Sequence, residues 1–349
     1  MRILIVRTSA LGDVVHALPV LRALRRAHPD AHIAWAVEES FAPLLAGHPD
    51  LDSVVPVRLR AWRRSLLGGA ARREMGAAWR SLRRFAPDVA LDLMGNHKAG
   101  ALARLSGARR VIGPARRDRR EPSSAVWMSE GVALAGEHAV DRMLGVLAPL
   151  GVAPAPVDFG GEALLRPAPP EASAFLDGRA PYVLILPAAG WGNKVYPPAR
   201  WGEVARRLRA AAGLDAWVPF APGEEPLARA VAVASRGAAR AVDAAAFPFL
   251  AALIRGSRLV LGGDTGPLHL AQALGAPVVC VMGPTDPRRN GPYGAPERAL
   301  HRRLPCSFCY KRFGEVKACL LQLSPAAVAD RGLELLAAEG WSRPPSVSE

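Results

Sequence analysis

Cysteine is scarce in this chain. The four present, Cys280, Cys306, Cys309 and Cys319, all fall in its last quarter. None can staple the N-terminal half, so a disulfide-framed secreted scaffold is excluded, and a cytosolic chain keeps such thiols reduced. No apolar run approaches the roughly 20 residues that cross a bilayer as a helix. The opening Met1–Arg7 is too short and too soon interrupted by charge to be a signal peptide, and it reads as a first buried strand. A soluble cytoplasmic protein is expected. Nucleotide signatures of the commonest kinds are also missing. No Gly-x-Gly-x-x-Gly or Walker A loop follows that strand, which disfavours dinucleotide and P-loop chemistry. No helix-turn-helix, RNP or zinc-finger pattern points to nucleic acid.

Acidic residues are in deficit. There are 31 against 45 Lys and Arg, for a net charge of +14. Such a field attracts polyanions, meaning nucleic acid, an anionic membrane face or phosphorylated substrates. A bias toward Arg and Ala in the source genome would raise the charge equally well, so position has to decide between them.

The 349 residues suit two domains better than one core. Apolar runs at 2–7, 32–37, 53–57, 88–93 and 110–113 read as strands. Between them lie helical patterns at 14–27, 40–46, 70–85 and 97–105. Residues 151–180 are rich in Pro, Ala and Gly and read as a linker. Strands then recur at 182–186, 216–220, 258–261 and 278–282. Helices recur at 201–212, 225–235, 247–254 and 267–274, with a last one at 326–338. Strands alternating with helices imply a parallel sheet covered on both faces. An α/β chain of two doubly wound domains is expected, spanning 1–160 and 161–340 and facing a cleft. A Cys-containing surface insertion is expected at 284–320. Ligands in such folds sit beyond the carboxyl ends of the strands.

Two loops stand at such ends. After the first strand comes Thr8-Ser9-Ala10-Leu11-Gly12-Asp13. Asp13 at or near a helix N-cap either caps the helix or faces the cleft as a general base. After the strand at 258–261 comes Gly262-Gly263-Asp264-Thr265-Gly266-Pro267. A glycine-bearing helix start with Thr265 offers free N–H groups and a positive dipole end to a diphosphate. Asp264 would repel that phosphate, so it is expected to face something else, such as sugar hydroxyls. His269, one turn in, either faces the ligand or is a half-buried helix histidine.

The pattern Gly263-Asp264-Thr265-Gly266-Pro267-x-His269-x-Ala271-x-Ala273-x-Gly275-x-Pro277, then Gly283-Pro284-Thr285-Asp286-Pro287, resembles the second domain of bacterial lipopolysaccharide heptosyltransferases. The loop Arg7-Thr8-Ser9-Ala10-Leu11-Gly12-Asp13 resembles the same family. Trp35-Ala36-Val37-Glu38-Glu39 resembles its branch that adds the first heptose. The resemblance covers about residues 1–335.

It implies a GT-B architecture with no catalytic metal and no cofactor. The implied donor is ADP-L-glycero-D-manno-heptose. The implied acceptor is Kdo-lipid A on the anionic cytoplasmic face of the inner membrane, where the enzyme would sit peripherally. It makes Asp13 the catalytic base and places Ser9 beside the acceptor. It makes Lys194, Asp264, Thr265, Gly266 and His269 donor-binding residues, with Glu224 or Glu225 on the ribose. Ala188 and Ala189 depart from the family, which often has Thr or Ser there. A related enzyme with another donor or acceptor, and a non-catalytic nucleotide- or glycan-binding regulator, are the alternatives.

From Arg58 to Arg84 there are nine Arg and one acid, Glu74. A second run holds Arg109, Arg110, Arg116, Arg117, Arg119 and Arg120. Arg suits bidentate contacts to phosphate and carboxylate. The resemblance implies an acceptor patch here, with Arg60, Arg63, Arg64 and Arg120 as its best matches. Cys306-x-x-Cys309 with Cys319 has metal-like spacing, but a closed site wants four ligands. Some relatives carry four cysteines in this insertion and an iron. This set is one short, with His301 a possible fourth ligand, and reduced structural thiols are expected over a metal.

Overall fold

The computed structural model describes residues 1–64, 68–164, 169–312 and 318–342, without the side chains of Arg63, Arg64 and Ala70. The chain divides into two compact units, Met1–Leu164 and Leu165–Glu349.

The first unit is built on a six-stranded parallel sheet in the order β3-β2-β1-β4-β5-β6. Its strands are β1 (Arg2–Val6), β2 (His32–Glu38), β3 (Ser53–Val57), β4 (Val89–Asp92), β5 (Arg110–Pro114) and β6 (Glu130–Val132). The chain winds outward from β1 to β3, then crosses back to β4 on the other side of β1. The order therefore reverses between β1 and β4. In a doubly wound sheet such a reversal leaves a crevice at the strands' carboxyl ends.

The second unit repeats the plan with β7 (Tyr182–Leu186), β8 (Asp215–Phe220), β9 (Ala239–Asp243), β10 (Val260–Gly263), β11 (Val278–Val281) and β12 (Ala299–Leu300). Their order is β12-β11-β10-β7-β8-β9, all parallel. The reversal here lies between β7 and β10. Tyr182–Leu186 and Val278–Val281 are buried at every residue. Strands covered on both faces read as continuous apolar runs, and that is why the central ones are visible in sequence.

Three strands escape the sequence reading, β6, β9 and β12. Each lies at a sheet edge. Glu130-Gly131-Val132 and Ala239-Arg240-Ala241-Val242-Asp243 are only partly covered, so they carry no apolar run. The helix expected over 14–27 is two helices, Leu11–His16 and Leu18–Ala27, parted at Ala17. Pro19 starts the second, since it has no N–H to give and its ring crowds a preceding turn. The expected linker holds two short helices, Gly161–Leu164 and Pro170–Leu176. The stretch 284–320 is not merely a surface insertion. It supplies β12 to the sheet and places Thr285 in the interior, 2% exposed.

Candidate functional site

The second unit's switch point is where two loops meet. β7 runs out through Pro187 to a 3-10 turn at Gly192–Lys194. β10 runs out to Asp264 and then the helix Gly266–Ala273, with Thr265 as its N-cap. Gly263 makes the meeting possible. A Cβ there would stand 3.1 Å from the Lys194 carbonyl oxygen, so a side chain would push the loops apart.

Asp264 is the hub. Lys194 Nζ donates to its Oδ2 at 2.6 Å, and Thr285 Oγ1 donates to the same oxygen at 2.6 Å. His269 Nε2 meets Oδ1 at 3.0 Å. Asp264, Thr265 and His269 are each under 10% exposed. Burial by itself raises the Asp264 pKa. The His269 hydrogen bond and the Lys194 charge outweigh it and hold the carboxyl well below the usual carboxylate range. Three side chains of its own chain meet this aspartate. A carboxylate this deep needs such partners, because an unpaired buried charge is costly. The Thr265 hydroxyl is buried and has no hydrogen-bond partner among the described residues.

Trp191 flanks the cluster. Its ring centroid lies 4.4 Å from Lys194 Nζ and 4.6 Å from the Arg312 guanidinium carbon, so two cations address one indole. Asn193 Nδ2 donates to the Lys311 carbonyl at 2.7 Å, which fastens the Lys194 turn to the segment before residue 313. Glu224 stands at the end of the loop after β8, the neighbour of β7, as N-cap residue of the helix Glu225–Ala234. Its Oε2 accepts from the Ala221 N–H at 3.0 Å. Glu225 pairs with Arg229 one turn on, at 2.6 Å.

At the first unit's switch point, the loop after β1 leads into the helix Leu11–His16. Its N-cap is Ala10, so Asp13 sits three residues in rather than at the cap. The Asp13 carboxylate reaches back to accept from the Ala10 N–H at 3.0 Å, one half of a capping box. Its other oxygen is 2.5 Å from Arg7 Nη2, and the side chain remains 38% exposed. Ser9 lies in the same loop, half-buried.

A profile of the family described as glycosyltransferase family 9 (heptosyltransferase) matches residues 75–318. Lipopolysaccharide heptosyltransferase 1 of Pseudomonas aeruginosa is 35% identical over 318 residues, covering 89% of this chain and 87% of that protein. Its namesake in Escherichia coli K12 is 31% identical over 302 residues, covering 84% and 91%. The structure of E. coli heptosyltransferase WaaC with ADP superposes with a TM-score of 0.80 at 29% identity, over 96% of this chain and 100% of that one. The chain belongs to glycosyltransferase family 9. The branch implied by Trp35–Glu39 is that of these relatives, and the two doubly wound units form a GT-B fold.

The family 9 chain sorts its basic runs in a way that sequence does not reveal. Arg119 is buried and paired with Asp92, both side chains fully hidden, and it also donates to Ser124 Oγ at 2.7 Å. Arg110 makes a two-pronged pair with Glu130, at 2.6 and 2.9 Å. Arg120, the next residue after Arg119, is exposed. Its backbone abuts the loop after β4, where a Cβ on Gly95 (φ +66°) would stand 3.2 Å from the Arg120 nitrogen. Arg60 is exposed in the helix Leu59–Arg64, and its backbone N–H donates to the buried Glu38 at 3.2 Å. The side chains of Arg63 and Arg64 lie outside the described residues.

Sequence reasoning assigned no role to Thr285, Trp191, Arg7 or the Asp92–Arg119 pair. Thr285 was within sight, in the Gly-Pro-Thr-Asp-Pro segment that carries the resemblance. Asp92 gave no signal at all. Among the described residues no group of three or more His, Cys, Asp or Glu is placed to hold a metal, and all four cysteines are free thiols.

Proposed function

We propose that this glycosyltransferase moves L-glycero-D-manno-heptose from ADP-heptose to the Kdo of Kdo-lipid A, with inversion, in synthesis of the lipopolysaccharide inner core. It would work as a peripheral protein on the cytoplasmic face of the inner membrane. The observation that carries this reading is Lys194 held by Asp264 beside the N-terminus of the helix Gly266–Ala273. That cluster is built for a nucleoside diphosphate leaving group. The names of its relatives supply the heptose.

The chemistry follows from charge. The acceptor hydroxyl oxygen forms a bond to the anomeric carbon as the bond from that carbon to the diphosphate oxygen breaks. The centre passes through an oxocarbenium-like state. Charge develops on the leaving ADP. Lys194 and the N–H groups at the helix start meet that charge where it appears. Asp264 acts through Lys194, fixing the ammonium in place, and Thr285 and His269 fix Asp264. Gly266 lets the backbone approach the phosphates, the Thr265 hydroxyl takes a phosphate oxygen as its missing partner, and Glu224 meets the ribose. On the acceptor side, Asp13 takes the proton and Ser9 lies beside the attacking hydroxyl. A positioned base of this kind is worth about 10²–10⁴-fold. Arg60, Arg63, Arg64 and Arg120 hold the lipid A phosphates and Kdo carboxylates.

Asp13 also stabilises its helix, and one substitution separates the two roles. Asp13→Asn keeps an oxygen that accepts from the Ala10 N–H but removes the base. It is expected to melt near the wild-type temperature, bind ADP normally and lose at least a hundred-fold in transfer. Turnover at the wild-type rate would reduce Asp13 to a cap. Transfer from ADP-heptose, set beside GDP- and UDP-sugars with a Kdo-bearing acceptor, tests donor and acceptor together.

A further inference from the structure

The helix Gly69–Phe85 is two-faced. Ala71, Leu82 and Phe85 are buried, and Met75 and Ala78 pack against the cluster that holds Ala71. At 3.6 residues per turn these five form one stripe. Arg72, Arg73, Trp79, Arg80, Arg83 and Arg84 are all exposed, on the other side. The helix has one acid, Glu74, and it is turned away to Arg58 and the Trp62 indole, at 2.8 and 3.1 Å. The outward face therefore carries five positive charges with no counter-charge among the described residues.

Arginine-rich composition alone does not produce such a face. Most exposed arginines on the helices of the second unit have a carboxylate partner, Arg255 and Arg289 being the exceptions among the described residues. Arg207 meets Glu203 at 2.8 Å, Arg229 meets Glu225 at 2.6 Å and Arg331 meets Glu334 at 2.9 Å. On Gly69–Phe85 none of the five makes an ion pair with a described residue. Arg83 only stacks on Trp79, 5.6 Å from the ring centroid. Like charges left unpaired on one helix face repel one another, and a partner of opposite charge relieves that repulsion.

The same face carries apolar groups. Trp79 is 46% exposed and Leu105 beside it 53% exposed. The Trp79 indole N–H donates to the Leu105 carbonyl at 3.0 Å, which tethers the ring to the end of the helix His97–Leu105. Arginines around a half-exposed Trp and a Leu are what an anionic bilayer interface takes: charge for the headgroups, and an amphipathic ring at headgroup depth. Single-stranded nucleic acid would instead want several aromatic platforms along a groove.

We infer that the exposed face of Gly69–Phe85, with Trp79 and Leu105, is the surface by which this protein docks on an anionic lipid bilayer. The inference rests on the membrane-held acceptor proposed above and names the surface that meets that membrane. The helix Leu59–Arg64 packs against Gly69–Phe85.

The test is sedimentation of the full-length protein with phosphatidylcholine vesicles, with and without phosphatidylglycerol. Binding is expected only with phosphatidylglycerol and should weaken with salt. Each neutralised arginine should cost roughly five-fold. Arg73→Gln/Arg80→Gln/Arg84→Gln, at exposed positions outside the proposed catalytic and binding residues, should then bind on the order of a hundred-fold more weakly. Its melting temperature and its transfer to a water-soluble Kdo-bearing acceptor should stay unchanged. Vesicle-induced change in indole emission should be lost in Trp79→Phe. Wild-type vesicle affinity in the triple variant would overturn the inference, as would tighter binding to an RNA homopolymer than to the vesicles. A wild-type chain that binds vesicles through this face but fails on the soluble acceptor would sink the proposed function and leave the docking surface standing.

Discussion

Lys194 and Asp264 are 70 residues apart in sequence and 2.6 Å apart in space, joined across the point where the second sheet reverses its order. Neither loop has its shape alone. The ion pair ties the two loops together.

Lys194→Ala should therefore do two separable things. It takes the cation from a buried carboxylate, which costs about 3 kcal/mol or more of stability, and it removes the charge proposed to meet the diphosphate. Lys194→Ala/Asp264→Ala should recover most of the stability but none of the ADP affinity. Chemical denaturation and ADP titration calorimetry read the two effects independently. Unchanged ADP affinity in the single variant would remove Lys194 from the donor site.

The pH dependence has a definite sign. Asp264 has its pKa lowered on folding, because its partners outweigh the burial that would raise it. Its contribution to stability is complete above the unfolded carboxyl value, near 4, and drains away as the pH falls through the lower folded value. Asp52, Asp118 and Asp158 are lowered as well and add to the same slope. The melting temperature should hold near neutrality and fall steeply below about pH 4. Asp264→Asn should be less stable at neutral pH and show a shallower fall. An identical slope would mean that the carboxylate is not held ionised.

Thr285 offers a milder probe. Thr285→Val removes one donor to a charged acceptor, worth about 1.5–3 kcal/mol in a buried setting, and leaves Lys194 and His269 on Asp264. The chain should still fold, with kcat/KM down about ten-fold, and Thr285→Ser should recover most of it. Equal activity in the Val and wild-type proteins would show that Lys194 needs no help from this hydroxyl.

Arg119 and Arg120 are adjacent and should behave oppositely. Arg119→Ala strands a fully buried Asp92 and should cost about 3–5 kcal/mol. Arg120→Ala should cost under about 0.5 kcal/mol, as exposed substitutions do, yet raise KM for the acceptor. Denaturation midpoints and acceptor kinetics on the two single variants decide it.

Sequence makes the interior of this fold legible and its margins much less so. Central strands such as Tyr182–Leu186 are apolar throughout because both faces are covered, whereas Ala239–Asp243 and Glu130–Val132 have one side in water and lose the pattern. The loop proposed to bind the donor was visible because its glycines and Asp264 sit at a strand end before a helix. The partners of Asp264 were not, since Lys194 and Thr285 are 70 and 21 residues away. The arginine runs were legible as charge alone. Which arginine is hidden with Asp92 and which is left for a ligand depends on where β4 ends, and local composition carries no record of that.

The indole that Lys194 and Arg312 share has a use of its own. A ring with an ammonium 4.4 Å away and a guanidinium 4.6 Å away emits in a field set by both. A diphosphate that draws Lys194 toward itself changes that field at once. Trp191 is thus a reporter placed beside the proposed donor site. The difference in emission between the wild type and Trp191→Phe, followed as ADP is added, would time the arrival of the nucleotide with no label attached.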